Sequence, residues 1–436
     1  MNENKLSKID MFSIVLGGII GWGSFMLPGT KFLKESGVIN TFLGLVLGVI
    51  CIIIIEKNYL VMMKSHDEEG GEFSYTYNRL GKKHGFIVGW FLTLAYFTMI
   101  PLNATAFPLV IKKLFGGILE FGYLYNIAGY NIYLGEILIS SITILTFASL
   151  NLKGIKKTSK IQNVIILSLI SVVLVVCIGM FIKGDRTNFT KSYISNYSFD
   201  LSQIIKVFAI TPFAFIGFDA VPQLSKEFNF SKKKASLVAI ASLTIGVLIY
   251  NILNLVTALA YSPKEAMNLD WAAGSAVLST LGKGFFILLI IALSAAVWSG
   301  INGFMICSSK LLGAIANYKM LPPKMAKVNK NGVFKSAIIF ITIISLIAPW
   351  FGRKVIIWIV DMSSLGASIA YFYVCYAVLK QSKNKVTKTV AMVGTVISIV
   401  FIMLLLLPIS PAALSKEAMI ALITWCVIGA IAYLKI

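Results

Sequence analysis

Long apolar runs, separated by short connectors rich in lysine, recur along the whole chain of 436 residues. A helix of about 20 mostly apolar residues crosses the hydrocarbon core of a bilayer. The pattern therefore predicts about twelve transmembrane helices. They run from Met11 to Leu33, Val38 to Met62, Phe86 to Ile111, Asn131 to Leu150, Ile161 to Phe181, Leu201 to Phe228, Ser236 to Tyr261, Phe285 to Ala316, Val333 to Trp350, Val355 to Leu379, Thr389 to Leu407 and Ala418 to Leu434.

The composition agrees with this pattern. Hydrophobic residues make up 58% of the chain and charged residues only 13%, which excludes a soluble domain of this size. The expected fold class is an all-α integral membrane protein, with a single transmembrane domain over residues 1–436. We expect no cleaved signal peptide, because Gly21, Gly23, Pro28 and Gly29 interrupt the first apolar run.

The net charge of +21 raises the question of nucleic-acid binding, and the position of the basic residues argues against it. With the N-terminus in the cytoplasm, the strongest basic clusters lie on inner connectors, at Lys153 to Lys160, Lys226 to Lys234, Lys310 to Lys335 and Lys380 to Lys388. Such an excess is the usual orientation signal of membrane proteins and favours contact with anionic lipid headgroups. We predict a multi-pass protein of the cell membrane with both termini cytoplasmic and no nucleic-acid partner.

Motifs for enzyme chemistry or metal binding are missing from the sequence. The five cysteines lie singly within predicted helices and are interpreted as packing residues. His66 and His84 flank the acidic stretch from Asp67 to Glu69, but their irregular spacing favours a solvated loop over a metal site. The chain carries no hydrolase elbow, no phosphate loop and no paired carboxylates within a span. We therefore expect no enzyme activity, no metal and no cofactor.

Two of the predicted helices carry residues that break helices. The first has Gly17, Gly18, Gly21, Gly23, Pro28 and Gly29 in one cluster, and the sixth has Gly217 between Pro212 and Pro222, followed by Asp219. Each glycine inside a helix costs about 1 kcal/mol, and proline removes a hydrogen bond. Backbone groups freed by unwinding must face protein or a wet cavity, so the pattern predicts a cavity at both breaks.

The breaks occupy the first and sixth helices, which are corresponding positions in two units of five helices. This placement is typical of an inverted repeat with its binding site between the broken helices. The predicted repeats cover about 10–184 and 200–380, with extra helices over about 388–436. The alternative is that the glycines serve only close helix packing.

Four segments share an order along the first ten predicted helices: Gly18 to Gly29, Gly70-Gly71-Glu72-Phe73-Ser74-Tyr75, Phe213 to Asp219, and Ser308 to Pro323. Together they resemble the amino acid-polyamine-organocation (APC) family of permeases. The resemblance implies a LeuT-type fold of five plus five helices, with the solute between the breaks in helices one and six. It does not identify the solute.

The resemblance also implies which residues form the site. The backbone amides of Gly21, Trp22, Gly23 and Ser24 would meet a substrate carboxylate. The carbonyls of Ile19, Phe213 and Ile216 would hold its ammonium group, next to Gly217. Half-helix ends suit these roles, because an N-terminus presents free N–H donors and a C-terminus presents free carbonyls.

Two positions depart from the family pattern. Many relatives have a very small residue between the two glycines of the first break, where this chain has Trp22, so a smaller or reshaped pocket is expected. Several proton-coupled relatives carry a lysine on the fifth helix, and this position aligns with Ser168. Coupling by that lysine is excluded, which leaves Na⁺ coupling, H⁺ coupling through another group, or uncoupled exchange.

Asp219 is expected to have a gating or coupling role, because an ionisable side chain within a membrane helix usually marks a pathway or relay. The alternative is that its carboxylate only caps the freed N–H groups of the second half-helix.

These observations predict a secondary transporter of amino acids or related small amines that works by alternating access, as a symporter or an antiporter. Its partners would be the solute, a coupling ion such as H⁺ or Na⁺, and membrane lipid. The alternative is a solute sensor built on the same fold without transport. A channel is disfavoured, because two unique breaks do not form a ring of like groups. The oligomeric state and the particular solute stay open.

Overall fold

The computed structural model describes residues 5–66, 68–195, 197–269 and 271–435. The helices before the second half are α1 (Lys8–Ile19), α2 (Trp22–Thr30), α3 (Phe32–Ser36), α4 (Ile39–Ser65), α5 (Gly71–Leu80), α6 (Lys82–Ala104), α7 (Phe107–Phe115), α8 (Leu134–Leu152), α9 (Ile155–Lys183), α10 (Arg186–Phe189), α11 (Leu201–Ala214) and α12 (Ala220–Gln223). The second half contains α13 (Lys232–Ala258), α14 (Pro263–Ala266), α15 (Ala272–Leu281), α16 (Lys283–Asn317), α17 (Lys335–Ile347), α18 (Gly352–Gln381), α19 (Lys385–Leu406) and α20 (Lys416–Leu434).

Ten helical segments of the described residues are long and apolar enough to cross a membrane. The longest, Lys335–Gln381, contains both α17 and α18, which are separated by a 3-10 turn and by Gly352 with a φ of 75°. The shorter α11 is followed by an unwound segment and α12. With α17 and α18 taken as two spans and the α11–α12 pair as one, the predicted twelve helices are confirmed. The bounds of the two repeats stay a prediction.

Capping side chains explain where several of the spans begin. The hydroxyl of Ser7 accepts a hydrogen bond from the Asp10 amide at 3.2 Å, and the Asp10 carboxylate accepts one from the Ser7 amide at 2.8 Å. The Asp200 carboxylate accepts from the amides of Ser202 and Gln203 at the start of α11. Such caps satisfy N–H groups that have no partner inside the helix.

The predicted fourth helix begins later than expected. Instead of a helix from Asn131, the structure has a hairpin of β1 (Tyr123–Ile127) and β2 (Tyr130–Tyr133), and α8 starts at Leu134. Its turn consists of Ala128 and Gly129, with φ values of 52° and 78°. Positive φ at both turn residues is the geometry that closes a two-residue hairpin. The sequence did not predict this hairpin, because its second strand has the same apolar character as the helix that follows.

The third span is also interrupted. Helix α6 ends at Ala104, and α7 begins at Phe107, two residues after Thr105. Pro108 lies in the first turn of α7, where its missing N–H group costs no helical hydrogen bond.

The centre of the molecule is built from α1, α6 and α16, which are buried along much of their length. Helix α20 lies at the periphery, where Ile420, Ile423 and Val427 are exposed. Exposed apolar side chains on a spanning helix are those that face lipid rather than water. The two broken spans therefore lie towards the protein interior, as their free backbone groups require.

Candidate functional site

The first span is unwound between α1 and α2. Ile20 and Gly21 have extended backbones, with φ and ψ of −97° and 90° and of −111° and −162°. Among the described residues, the amides of Gly21 and Gly23 have no hydrogen-bond acceptor, and the carbonyl of Ile19 has no donor. A second irregularity lies further along, where Pro28 and Gly29 leave the helical conformation. The predicted break is thus observed.

The sixth span is unwound between α11 and α12. Gly217 has a φ of 120°, a value that side chains disfavour. The Ile216 amide donates to the Phe213 carbonyl at 3.3 Å, whereas the Ile216 carbonyl has no donor among the described residues. One loose turn therefore leaves a carbonyl free at this break.

The two breaks touch each other backbone to backbone. A Cβ atom added to Gly217 would lie 2.9 Å from the Cα of Gly18, and one added to Gly18 would lie 3.1 Å from the Cα of Gly217. The distance at Gly217 is shorter than Cβ atoms tolerate, and the one at Gly18 is tighter than most Cβ contacts, so a side chain at either position would require the facing backbone to move. The unwound turn of the sixth span thereby packs against the last turn of α1, directly before the first break.

Two of the predicted donors already have partners within the protein. The Trp22 amide donates to Oδ1 of Asn103 on α6 at 3.1 Å, and the Ser24 amide donates to the Gly21 carbonyl at 3.3 Å. The Ser24 hydroxyl donates to the same carbonyl at 2.8 Å. The free anion-binding groups of the first break are therefore the amides of Gly21 and Gly23. Asn103 was not singled out from the sequence, although an amide side chain within an apolar helix is a usable signal.

Trp22 stacks against an arginine of the tenth span. The guanidinium carbon of Arg353 lies 4.0 Å from the centre of the Trp22 ring system, and the Arg353 side chain is only 6% exposed. Nη1 of Arg353 donates to the Leu102 carbonyl at 3.0 Å and to the Thr105 hydroxyl at 3.1 Å. The cation and the indole together connect the first, third and tenth spans.

A polar cavity of about 220 Å³ lies beside the two half-helices α2 and α11. It is lined by Leu27 and Phe213, and by charged side chains of Lys31, Lys206 and Asp361. Asp361 lies within α18, so an ionisable residue inside a predicted span marked this cavity in the sequence and was overlooked. The cavity lies on the side of the breaks away from the N-terminus, because it is lined by Leu27 of α2, by Lys31 after that helix, and by residues 206–213 of α11.

Asp219 does not cap the helix that follows it. Its side chain makes no hydrogen bond to the amides of α12. Instead, Oδ1 accepts from the Gly217 amide at 2.7 Å, and Oδ2 accepts from the Tyr96 hydroxyl at 2.9 Å. The capping interpretation is therefore wrong, because the carboxylate turns back towards the unwound turn. Asp219, which is fully buried, connects the sixth-span break to α6.

The side of the molecule that carries the N-terminus is closed. We call the surface formed by Lys5, Glu69, Glu227 and Lys310 the N-terminal face. The Leu6 amide donates to the Glu227 carbonyl at 2.8 Å, and Lys310, only 4% exposed, contacts the carboxylates of Glu69 and Glu227. Asp219 lies sealed behind this layer.

The acidic stretch behind His66 contributes to the same face, although Asp67 lies outside the described residues. Glu68 accepts a hydrogen bond from Nδ2 of Asn78 at 2.7 Å and another from the Tyr318 hydroxyl. The hydrogen bond from Tyr318 holds the pKa of Glu68 below its usual range. Nε of Arg79 donates to Nε2 of His66 at 2.7 Å. These contacts connect the loop after α4 to α5 and α16.

The fifth span contacts the first through Gln162. Ser168 is half-buried on α9, whereas Nε2 of Gln162, on the same helix, donates to the Ser13 carbonyl at 3.1 Å. Oε1 of Gln162 accepts from Nδ2 of Asn302 at 2.8 Å. A Cβ at Gly17 would lie 2.2 Å from Nε2 of Gln162. The fifth span thus presents an amide side chain to the first, and the coupling role expected at Ser168 stays a prediction.

The fold and the site together define a class: a twelve-span membrane protein of LeuT type, whose first and sixth spans are broken and meet at their breaks. The chain belongs to the amino acid permease family, since a sequence profile of that family, described as amino acid permease, matches residues 6–431. The resemblance seen in the sequence motifs is thus confirmed.

Similar proteins carry transporter names. The chain is 24% identical over 267 residues to the methylthioribose transporter of Bacillus subtilis, an alignment that covers 58% of this chain and 54% of that protein. It is 24% identical to the branched-chain amino acid permease BcaP of Lactococcus lactis, with 85% and 80% covered, and 23% identical to the vacuolar cationic amino acid transporter 4 of Arabidopsis thaliana, with 86% and 62% covered. The chain thus spans about half the length of some relatives it matches.

Proposed function

We propose that this protein is a secondary transporter that moves amino acids or related small amines across the cell membrane by alternating access. The observation that carries the proposal is the contact between the two broken helices, which gathers free backbone donors and acceptors in the membrane interior. The transporter names of the relatives support the same function.

A zwitterion fits the chemistry of the two breaks. The free amides of Gly21 and Gly23 lie at the start of α2, where the positive end of the helix dipole favours a carboxylate. The free carbonyls of Ile19 and Ile216 offer acceptors for an ammonium group. Phe213 lines the adjoining cavity and contributes an apolar surface for the rest of the solute. Backbone groups would therefore recognise the part that all amino acids share.

The conformation supports an alternating-access cycle. The polar cavity next to Leu27 and Phe213 adjoins one side of the breaks, while the N-terminal face closes the other side with Lys310 and its carboxylate partners. With the N-terminus in the cytoplasm, as the lysine distribution predicts, this state is shut towards the cytoplasm. Transport would then require the N-terminal face to open while Trp22 and Arg353 cover the opposite side.

Ligand binding and flux distinguish the transporter from the sensor. Purified protein is screened by thermal shift against the standard amino acids, polyamines and methylthioribose, and each stabilising compound is then tested for uptake into proteoliposomes. We expect a compound that both stabilises the protein and enters the vesicles in a saturable manner. Stabilisation without uptake in sealed, correctly reconstituted vesicles would favour the sensor. Uptake equal to that of empty vesicles for every binder would contradict the proposal.

A further inference from the structure

A second carboxylate is buried next to the broken sixth helix. Glu72 of α5 is fully buried, and so are Gln223 of α12 and Asp219. Nε2 of Gln223 donates a hydrogen bond to Oε2 of Glu72 at 2.7 Å. Through this hydrogen bond, Glu72 connects α5, which lies in the layer that closes the N-terminal face, to α12, the short helix after the sixth-span break.

The second oxygen of this carboxyl makes no well-formed hydrogen bond with the described residues. Oε1 of Glu72 is inaccessible and has no hydrogen-bond partner among the described residues. The hydroxyl of Tyr59, which also has no partner among them, faces the same carboxyl. An ionised carboxylate in a water-free site normally needs a cation or several donors. The Gln223 amide and the nearby Tyr59 hydroxyl are poor substitutes for a cation, whereas a neutral carboxyl adds a donor for a nearby oxygen.

In the part of the chain that the structure describes, the ionisable groups that face Glu72 carry no positive charge. Those that face Glu72 are Tyr59 from α4, Tyr96 from α6, Cys307 from α16, Tyr371 from α18 and the carboxylate of Asp219. The buried Lys310 on α16 is engaged with Glu69 and Glu227. Burial, and then the nearby charge of Asp219, raise the pKa of Glu72 well above its usual range.

We propose that the layer closing the N-terminal face, which includes α5 and α12, is a gate and that Glu72 is its proton-binding site. Glu72 holds a proton while the gate is closed and releases it to water when the gate opens. The proposal rests on the proposed transport function, because it gives that function a coupling ion. In a coupled cycle, one proton would reach Glu72 from water on the side opposite the N-terminal face while the gate is closed, and opening of the gate would release that proton on the side of the N-terminal face. Coupling to H⁺ would then depend on α5 and α12 rather than on a lysine of the fifth span.

Infrared spectroscopy tests the site without any solute. A neutral carboxyl has a C=O stretch that is distinct from carboxylate and amide bands, so its absorption at neutral pH reports protonated carboxyls. Wild-type full-length protein in detergent is compared with Glu72→Gln and with Glu417→Gln, which removes an exposed carboxylate at the start of α20. We expect Glu72→Gln to lose the absorption of one carboxyl and Glu417→Gln to match the wild type.

An absorption in Glu72→Gln equal to that of the wild type would overturn the proposal. If that variant is not recovered from membranes, Glu72→Asp keeps a carboxyl while shortening the side chain. We then expect the position of the neutral-carboxyl band to shift, and an unchanged band would again overturn the assignment.

The transport arm uses a mixture of the standard amino acids in proteoliposomes with and without an inward proton gradient. We expect the gradient to accelerate wild-type and Glu417→Gln uptake severalfold and Glu72→Gln uptake much less. An equal acceleration in Glu72→Gln would exclude Glu72 as the coupling site. No uptake by the wild type in any condition would instead contradict the proposed function, while the infrared result would still decide the protonation of Glu72.

Discussion

Gly18 and Gly217 each leave room for the backbone of the other, and this contact brings the two breaks together. The sequence identified Gly217 as a break but did not indicate which residue it meets, because helix crossings are not encoded in local spacing. The φ of 120° at Gly217 adds a backbone requirement to the steric one. Both the positive φ and the close contact disfavour a Cβ atom at Gly217, which any residue other than glycine would introduce.

We therefore expect Gly217→Ala to impair transport with little loss of membrane insertion. A strained backbone and an overpacked contact each cost about 1–3 kcal/mol, so the uptake rate should fall roughly tenfold or more. Gly284→Ala is the matched control, because a Cβ there meets open space at ordinary φ. Uptake by Gly217→Ala within a factor of about two of the control would show that the close contact is dispensable.

Trp22 is expected to limit the size of the solute. Trp22→Ala removes the ring on which the Arg353 guanidinium stacks and opens space between the first and tenth spans. The variant should accept bulkier amino acids or change their order of preference, as measured by competition against uptake of the best wild-type solute. Trp22→Phe keeps an aromatic face and should stay close to the wild type. An identical competition profile for Trp22→Ala would place the indole outside the binding site.

Asp219 is expected to act through its charge rather than only through its shape. In Asp219→Asn the side-chain oxygen can still accept from the Gly217 amide, and the Tyr96 hydroxyl can accept from the new amide group. Solute binding should therefore persist while flux, or its pH dependence, declines. Tyr96→Phe controls for the loss of the hydrogen bond alone. Wild-type flux with a wild-type pH profile in Asp219→Asn would reduce the role of Asp219 to fixing the unwound turn.

At the scale of elements, apolar run length predicted the twelve helices because the bilayer imposes it. The glycine and proline clusters likewise predicted both breaks. The direction in which a side chain points could not be predicted from the sequence in the same way. The sequence placed Asp219 at the start of a half-helix, but its carboxylate turns back to Gly217. The hairpin before α8 was missed because β2 shares the apolar character of the helix that follows.

The gate built from α5 and α12 has a predicted pH dependence. The folded protein raises the pKa of Glu72, so it binds the proton more tightly than the unfolded chain does. The resulting stabilisation is present at low pH and is lost as pH rises from the unfolded pKa of about 4.3 through the folded value. The melting temperature of the detergent-solubilised wild type should therefore fall with rising pH. The fall in melting temperature with rising pH should be smaller in Glu72→Gln than in the wild type, and the same as in the wild type in Glu417→Gln. An equal fall in all three proteins would contradict a protonated Glu72.

At the scale of the whole molecule, the lysine distribution predicts that the N-terminal face is cytoplasmic. Single cysteines at the exposed positions Lys64 and Lys330, in a cysteine-free background, should resist an impermeant thiol reagent added to whole cells. A cysteine at Lys264, exposed on the connector after α13, should react and serves as the control. Rapid labelling at Lys64 and Lys330, with protection at Lys264, would invert the orientation.

The central claim is that one site between the two breaks is open in turn to each side of the membrane, and counterflow tests it most directly. Proteoliposomes are loaded with an unlabelled solute at high concentration, and the influx of the labelled solute is followed without any ion gradient. The account predicts transient accumulation of label above the external concentration in wild-type vesicles, saturable with external solute and strongly reduced in Gly217→Leu. Influx that does not respond to internal solute, or that is equal in Gly217→Leu, would contradict it.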